Sequence, residues 1–235
     1  MKIEDFELIS PLGKGAYGEV VKALHKETQK HYAIKFINKQ FMLHQKKTFA
    51  VFREKEIMAL LKDSKHSINL KHSFQDNLHI YLVMELIEGI TLLEYTQSYG
   101  KMDHSFVHHI ISELIEYLAY TKRFGVFHGD LKPENVMVTA DFGIKVIDYG
   151  CAGISQVNSE NAELDKKFKK FCDDNGILSQ FEFVGSSAFV SPEHLDESVS
   201  HWSGDLWALG KRFDLSFWVK ILRFFDILNV GWVIR

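Results

Sequence analysis

Three glycines, Gly13, Gly15 and Gly18, fall in the pattern G-x-G-x-x-G near the start of the chain, and the residues after them decide which architecture is possible. Glycines at this spacing let a backbone approach phosphate oxygens with no side chain in the way. In a dinucleotide-binding βαβ unit the third glycine would open a helix. Here Glu19, Val20 and Val21 follow, which are strand-forming, so the pattern predicts a glycine-rich hairpin between two strands. Further strand character at Phe6-Glu7-Leu8-Ile9 and His31-Tyr32-Ala33-Ile34-Lys35-Phe36 makes this an antiparallel meander.

Helical periodicity takes over in 48–61, where Val51, Ile57, Met58, Leu60 and Leu61 are apolar and Arg53, Glu54 and Lys55 lie among them. Strand character returns over 69–86, through Phe74 and the run His79-Ile80-Tyr81-Leu82-Val83-Met84. A strand-rich lobe with one helix thus closes at 86. Beyond it Val107, Ile110, Ile111, Leu114, Ile115 and Leu118 recur at intervals of three and four, an amphipathic helix over 105–121 that opens a mainly helical second lobe. Residues 155–180 are polar with little periodicity and predict a long mobile loop, with a short basic helix near 165–171.

Composition excludes several classes of function. With 46% hydrophobic and 25% charged residues the chain is globular, and its net charge of −3 gives no positive field for nucleic acid. Cys151 and Cys172, the only cysteines, make neither a disulfide framework nor a zinc site, which fits a reducing cytoplasmic or nuclear setting. No apolar run follows the charged N-terminus to serve as a signal peptide. The apolar tail over 213–234 is interrupted by Asp214, Lys220, Arg223 and Asp226, so a helix seeking a protein surface, or a partner covering it, is expected rather than a membrane span.

The chemistry begins at Lys35, on the strand after the glycine hairpin, whose ammonium could reach the α- and β-phosphates of a nucleotide. Glu54 on the following helix is expected to hold it. Glu56 is the alternative, about 200° further around the helix. The strongest signal is His128-Gly129-Asp130-Leu131-Lys132-Pro133-Glu134-Asn135, followed thirteen residues after Asn135 by Asp148-Tyr149-Gly150.

With these motifs the chain resembles the Ser/Thr protein kinase family. The resemblance implies an α+β, two-lobed fold: an antiparallel sheet plus one helix in 1–86, a partial, mainly helical lobe in 87–210, and a divergent apolar, helical tail in 211–235. It implies ATP and Mg2+, with Asp130 orienting the substrate hydroxyl and accepting its proton, Lys132 near the transferred phosphate, and Asn135 and Asp148 on the metal. Around adenine it places Leu12, Val20, Ala33, Met84 and Met137, with Glu85 to Ile87 (85–87) as the hinge beside the phosphate-binding Gly13, Gly15 and Gly18. Asp205 would accept hydrogen bonds from backbone amides near His128.

Phe183-Val184-Gly185, Val190-Ser191-Pro192-Glu193-His194-Leu195 and Asp205-Leu206-Trp207-Ala208-Leu209-Gly210 resemble the phosphoinositide-dependent branch of the AGC group. Such kinases act on other AGC kinases, which would dock near Lys39, Leu43, Lys55 and Gln75. Three departures stand out. Gly129 replaces the arginine that usually precedes the catalytic aspartate. Glu182 replaces the phosphorylated serine, which together with Gly129 suggests regulation independent of phosphorylation. Nothing after Gly210 resembles a kinase, and Glu193 lacks its usual basic partner, so an inactive kinase-fold scaffold is the competing expectation.

Overall fold

The computed structural model describes residues 1–15, 18–100, 102–176 and 202–210. Its N-terminal part is a five-stranded antiparallel sheet built from β1 (Phe6–Gly15), β2 (Gly18–His25), β3 (His31–Asn38), β4 (Leu70–Gln75) and β5 (His79–Glu85), in the order β1-β2-β3-β5-β4. Alternation along β3 divides the interior. Ala33 and Ile37 join the main core, whereas Ile34 turns to the other face and packs with Phe6, Ala23, Tyr81 and Val83. Lys35 shares its parity with Ala33 and Ile37, so its ammonium is aimed into the main core face.

Two helices, not one, connect β3 to β4. α1 (Lys39–His44) is capped by Asn38, whose side-chain oxygen accepts the Phe41 N–H at 3.0 Å, and buries only Met42. Six residues with one buried position carry too little periodicity to be read from sequence. α2 (Thr48–Leu60) follows as expected, and it is enclosed on several sides, burying Phe49, Ala50, Val51, Arg53, Glu54, Ile57 and Met58.

The second part contains β6 (Gly89–Thr91), α3 (Leu92–Tyr99), α4 (His104–Arg123), β7 (Val126–Phe127), β8 (Val136–Thr139), β9 (Ile144–Val146) and β10 (Gly153–Ile154). Strands β6, β8 and β9 form one small sheet, and β10 pairs with β7. α3 begins in a reciprocal cap: the Glu94 N–H donates to the Thr91 hydroxyl at 3.1 Å and the Thr91 N–H to the Glu94 carboxylate at 2.8 Å. α4 is the expected amphipathic helix, with Ile110, Ile111, Leu114, Ile115 and Leu118 buried and Val107 half-buried.

The expectation of a long mobile loop after 155 is corrected, while the short basic helix expected near 165–171 is present and longer than read. Residues Ala162–Asn175 form a fourteen-residue helix, α5, that ends at Gly176 in the left-handed conformation (φ 64°). Leu164, Phe168 and Cys172, four residues apart, make a narrow buried stripe with Phe171 half-buried beside it, and lysines and acids occupy most of the rest. So thin an apolar face amid eight charged residues hides most of the period from a composition-weighted reading. The last described element is α6 (Trp202–Gly210), with Asp205, Leu206, Ala208 and Leu209 buried. Among the described residues no helix is long and apolar enough to cross a membrane. The tail over 211–235 lies outside them, as do Glu182 and the segment from Gly185 to Glu193 (185–193).

Candidate active site

Lys35 is 3% exposed and Glu54 1% exposed, and their charged atoms stand 2.6 Å apart. The same ammonium lies 3.0 Å from an Asp148 carboxylate oxygen. Burial alone would lower the Lys35 pKa, but the two carboxylates outweigh it and hold the ammonium above its usual value. Burial would raise the Asp148 carboxyl; Lys35 outweighs this too, helped by His128 and the Gly150 N–H, and keeps it below the usual range. For Glu54 burial is the larger influence and raises its pKa against the pull of Lys35. Glu56 faces elsewhere and pairs with Lys55 at 2.9 Å and Lys167 at 3.0 Å.

The segment between β7 and β8 carries the second group of charges. Lys132 stands 2.7 Å from the Asp130 carboxylate, and the Asn135 side-chain amide donates to the same carboxylate at 3.1 Å and to the Asp130 carbonyl at 2.8 Å. With its nitrogen turned to Asp130, Asn135 keeps its amide oxygen as a ligand. That oxygen and the carboxylate of Asp148, whose side chain is 36% exposed, are the hard oxygen donors that suit magnesium. The two segments are tied together where the Ile147 N–H donates to the Asn135 carbonyl at 2.9 Å. Cys151 lies close enough to both aspartates for their charges to act on it. Burial first, then the charges of Asp130 and Asp148, push its thiol up to about 12, so it stays protonated.

The backbone at the site is strained at Asp148. Asp148 adopts a left-handed conformation (φ 64°, ψ 78°), which costs a non-glycine residue on the order of 1–3 kcal/mol and aims its carboxylate at Lys35. The expected support from Asp205 is present: its two oxygens accept the N–H groups of His128 at 2.6 Å and Gly129 at 2.9 Å. Burial pushes the Asp205 carboxyl up, while His128 and these two amides oppose that shift. His128, fully buried, bonds the Ile147 carbonyl through its Nε2 at 3.1 Å and accepts the Asp130 N–H on Nδ1 at 3.3 Å. Tyr149 packs as expected, fully buried and 5.1 Å from the His128 ring.

The strands put most of the expected adenine residues in register. Val20 lies opposite Lys35, Gly13 opposite Val20, and Ala33 opposite Met84. Ala33 and Met84 are buried, and Val20 and Ile87 pack on the same core. Met137 stands on β8, opposite Thr91 and Lys145, and Leu12 sits in a bulge of β1 with its side chain largely exposed. Gly15 pairs with Gly18 across the hairpin. The glycines serve different ends. Around Gly13 a Cβ would meet nothing within 4 Å, whereas at Gly18 it would fall 1.7 Å from the Phe36 carbonyl oxygen, so Gly18 is required by the approach of β3.

Sequence reasoning missed what Glu85 does. Its carboxylate accepts from Lys145 at 2.8 Å and from the Asn69 N–H at 3.0 Å, so its side chain is engaged within the protein. A charged residue at the end of an apolar strand was the available signal.

A model of the protein kinase domain matches residues 6–213, and the chain belongs to the protein kinase domain family. Within it the chain is 32% identical over 207 residues to human 3-phosphoinositide-dependent protein kinase 1, covering 88% of this chain and 34% of the relative. It is also 32% identical over 208 residues to the serine/threonine-protein kinase PKH2 of Saccharomyces cerevisiae, covering 88% of this chain and 19% of the relative. Against the 3-phosphoinositide-dependent protein kinase 1 of Arabidopsis thaliana the identity is 32% over 206 residues, covering 88% of this chain and 40% of the relative. The chain thus spans less than half the length of each, and the expected likeness to the phosphoinositide-dependent kinases is borne out. ATP and magnesium are the general requirements of this family.

Proposed function

We propose that the chain is a protein serine/threonine kinase that transfers the γ-phosphoryl group of ATP to a hydroxyl of a protein substrate. The observation that carries this reading is the convergence of four side chains: Lys35 lies 3.0 Å from Asp148, and Asn135 lies 3.1 Å from Asp130, with the two pairs joined through Ile147. Lys35, kept cationic by Glu54, binds the α- and β-phosphates beneath the glycine hairpin. Asn135 and Asp148 hold magnesium, which supplies charge neutralisation on the phosphates. Asp130 orients the attacking hydroxyl and takes its proton at a carboxylate oxygen, while Lys132 stands beside it where negative charge develops. Ala33, Met84 and Val20 supply the apolar slot for the base, with Leu12, Ile87 and Met137 at its edges.

The lobes of this reading are 1–86 and 87–210, and its setting is cytoplasmic or nuclear. Its substrates in this reading are other AGC kinases, a proposal that rests on the resemblance to the phosphoinositide-dependent kinases and on the docking residues. In support, Leu43 is 66% exposed on α1, Gln75 is exposed at the end of β4, and Lys39 donates to the Asp76 carbonyl beside it. Lys55 stands 5.7 Å over the Phe52 ring on α2.

A thermal shift with Mg-ATP tests the nucleotide site. At 100 times its dissociation constant the nucleotide stabilises the chain by about 2.7 kcal/mol, and Asp148→Asn abolishes most of this. A transfer assay then tests catalysis, in which Asp130→Ala lowers kcat by on the order of 10²–10⁴. Binding without transfer in the unaltered chain would favour the scaffold instead.

A further inference from the structure

α2 carries two opposed faces. Glu54 points to Lys35, while Phe49, Phe52 and Glu56, at positions i, i+3 and i+7, form a stripe on the other side. That stripe is covered by α5. Phe171 stacks on Phe52 with ring centroids 4.3 Å apart and planes at 12°, and Phe168 meets Phe49 edge-on at 5.5 Å. Phe168 also contacts Phe52 at 6.0 Å, and Lys167 pairs with Glu56 at 3.0 Å.

The other attachment of α5 is in the second lobe. Asn161, 1% exposed just before the helix, donates to the carbonyls of Phe124 at 2.7 Å and Gln156 at 2.8 Å and accepts the Asn158 N–H at 2.9 Å. The Asn158 side chain donates to the Arg123 carbonyl at 3.0 Å, so the start of α5 is fixed to the end of α4. The helix is therefore tied to α4 at one end and packed on α2 along its length. Turning α2 away from Lys35 would unstack four phenylalanine rings and expose the buried Phe168.

We propose that α5 is a strut that positions α2, and so holds Glu54 against Lys35, with Phe168, Phe171 and Lys167 as the positioning residues. The functional part of this inference rests on the kinase reading above; the structural part does not. The charge on Lys167 and the rings of Phe168 and Phe171 touch neither Lys35 nor the aspartates, and act only through α2.

The test uses the full chain with Phe171→Ala, Phe168→Ala/Phe171→Ala and the conservative Phe171→Leu, together with Lys167→Glu and Lys167→Arg, which change only an exposed side chain. Two quantities are read: hydrogen exchange over Thr48–Leu60, and kcat/KM for ATP per folded molecule. The alanine variants are expected to speed exchange in α2 and lower kcat/KM on the order of 10-fold, as a displaced catalytic group does. Phe171→Leu and Lys167→Arg should retain at least about half of both properties, and Lys167→Glu should show a smaller loss of a few-fold. If the alanine variants fail to fold, the contrast between Lys167→Glu and Lys167→Arg decides. Unchanged exchange in α2, or a rise in activity as for a lid that blocks the cleft, overturns the proposal. An unaltered chain that shows no transfer defeats the kinase reading, while the exchange data still decide whether α5 holds α2.

Discussion

At Gly129 the backbone is left-handed (φ 77°), and a Cβ there would stand 2.6 Å from the Cys151 carbonyl oxygen. In this chain the position is therefore shaped for glycine, and the departure from the family's arginine is accommodated by its surroundings. Gly129→Ala is expected to destabilise the chain by about 1–3 kcal/mol, the range for a non-glycine residue held in a sparsely populated conformation. Urea unfolding measures it, and an unchanged midpoint would refute the crowding argument. The neighbouring Gly129 N–H is engaged by Asp205, so the strained turn and the buried carboxylate support each other. Asp205 was legible from its motif alone. The collision at Cys151 was not, because it joins residues brought together only by folding.

Elements are limited by their ends as much as by their interiors. The turn between β4 and β5 is organised by Asp76, whose carboxylate accepts the N–H groups of Leu78 and His79 and the Tyr81 hydroxyl, each at 2.7 Å. The Tyr81 hydroxyl is the largest influence, followed by the two amides, and together they lower the Asp76 pKa to about 2. A carboxyl lowered on folding contributes stability that is fully present above its ordinary value of about 3.8 and is lost as pH falls through the folded value of about 2. An NMR titration of the Asp76 carboxyl carbon is expected to show its midpoint near 2. Asp76→Asn should remove that acid-dependent contribution, and a midpoint near 4 in the unaltered chain would show that the turn does not form as described. α2 and α4 were readable from their apolar periods. α1 was not, since it buries one residue, and of α5 only a short piece near 165–171 was, because its buried stripe has its partner, Phe49 and Phe52 of α2, more than a hundred residues earlier in the chain.

Across the whole molecule the two parts are stitched close to the site. Ser67 bridges to Val146, the Ile68 N–H donates to the Val146 carbonyl at 3.0 Å, and the Val146 N–H donates to the His66 carbonyl at 2.6 Å. Beside this seam Lys145 reaches both the Glu85 carboxylate at 2.8 Å and the Ser67 carbonyl at 3.2 Å. Lys145→Ala is expected to cost about 1–3 kcal/mol, because it leaves Glu85 partly buried and without its cation. Denaturant unfolding checks the loss, and combining the change with Glu85→Gln should recover part of it, since neither charge then remains. Additive losses in the double variant would argue against the pair.

The sequence alone determined the kind of molecule: the glycine hairpin, the Lys35 strand, the loop from His128 to Asn135 and the Asp148-Tyr149-Gly150 motif are each local patterns, and their spacing survives without knowledge of the fold. The choice of Glu54 over Glu56 was also readable, but only through the register that Arg53-Glu54-Lys55 shares with related kinases; helix geometry added that both could not face Lys35. Tertiary structure decided what depends on contacts between distant segments. It set Lys35 between two carboxylates, engaged the Glu85 side chain with Lys145, required glycine at 18 and 129 through neighbouring carbonyls, and turned a polar stretch into a helix resting on α2. Burial and close approach are properties of the folded surface. They do not exist until the chain has brought its partners together.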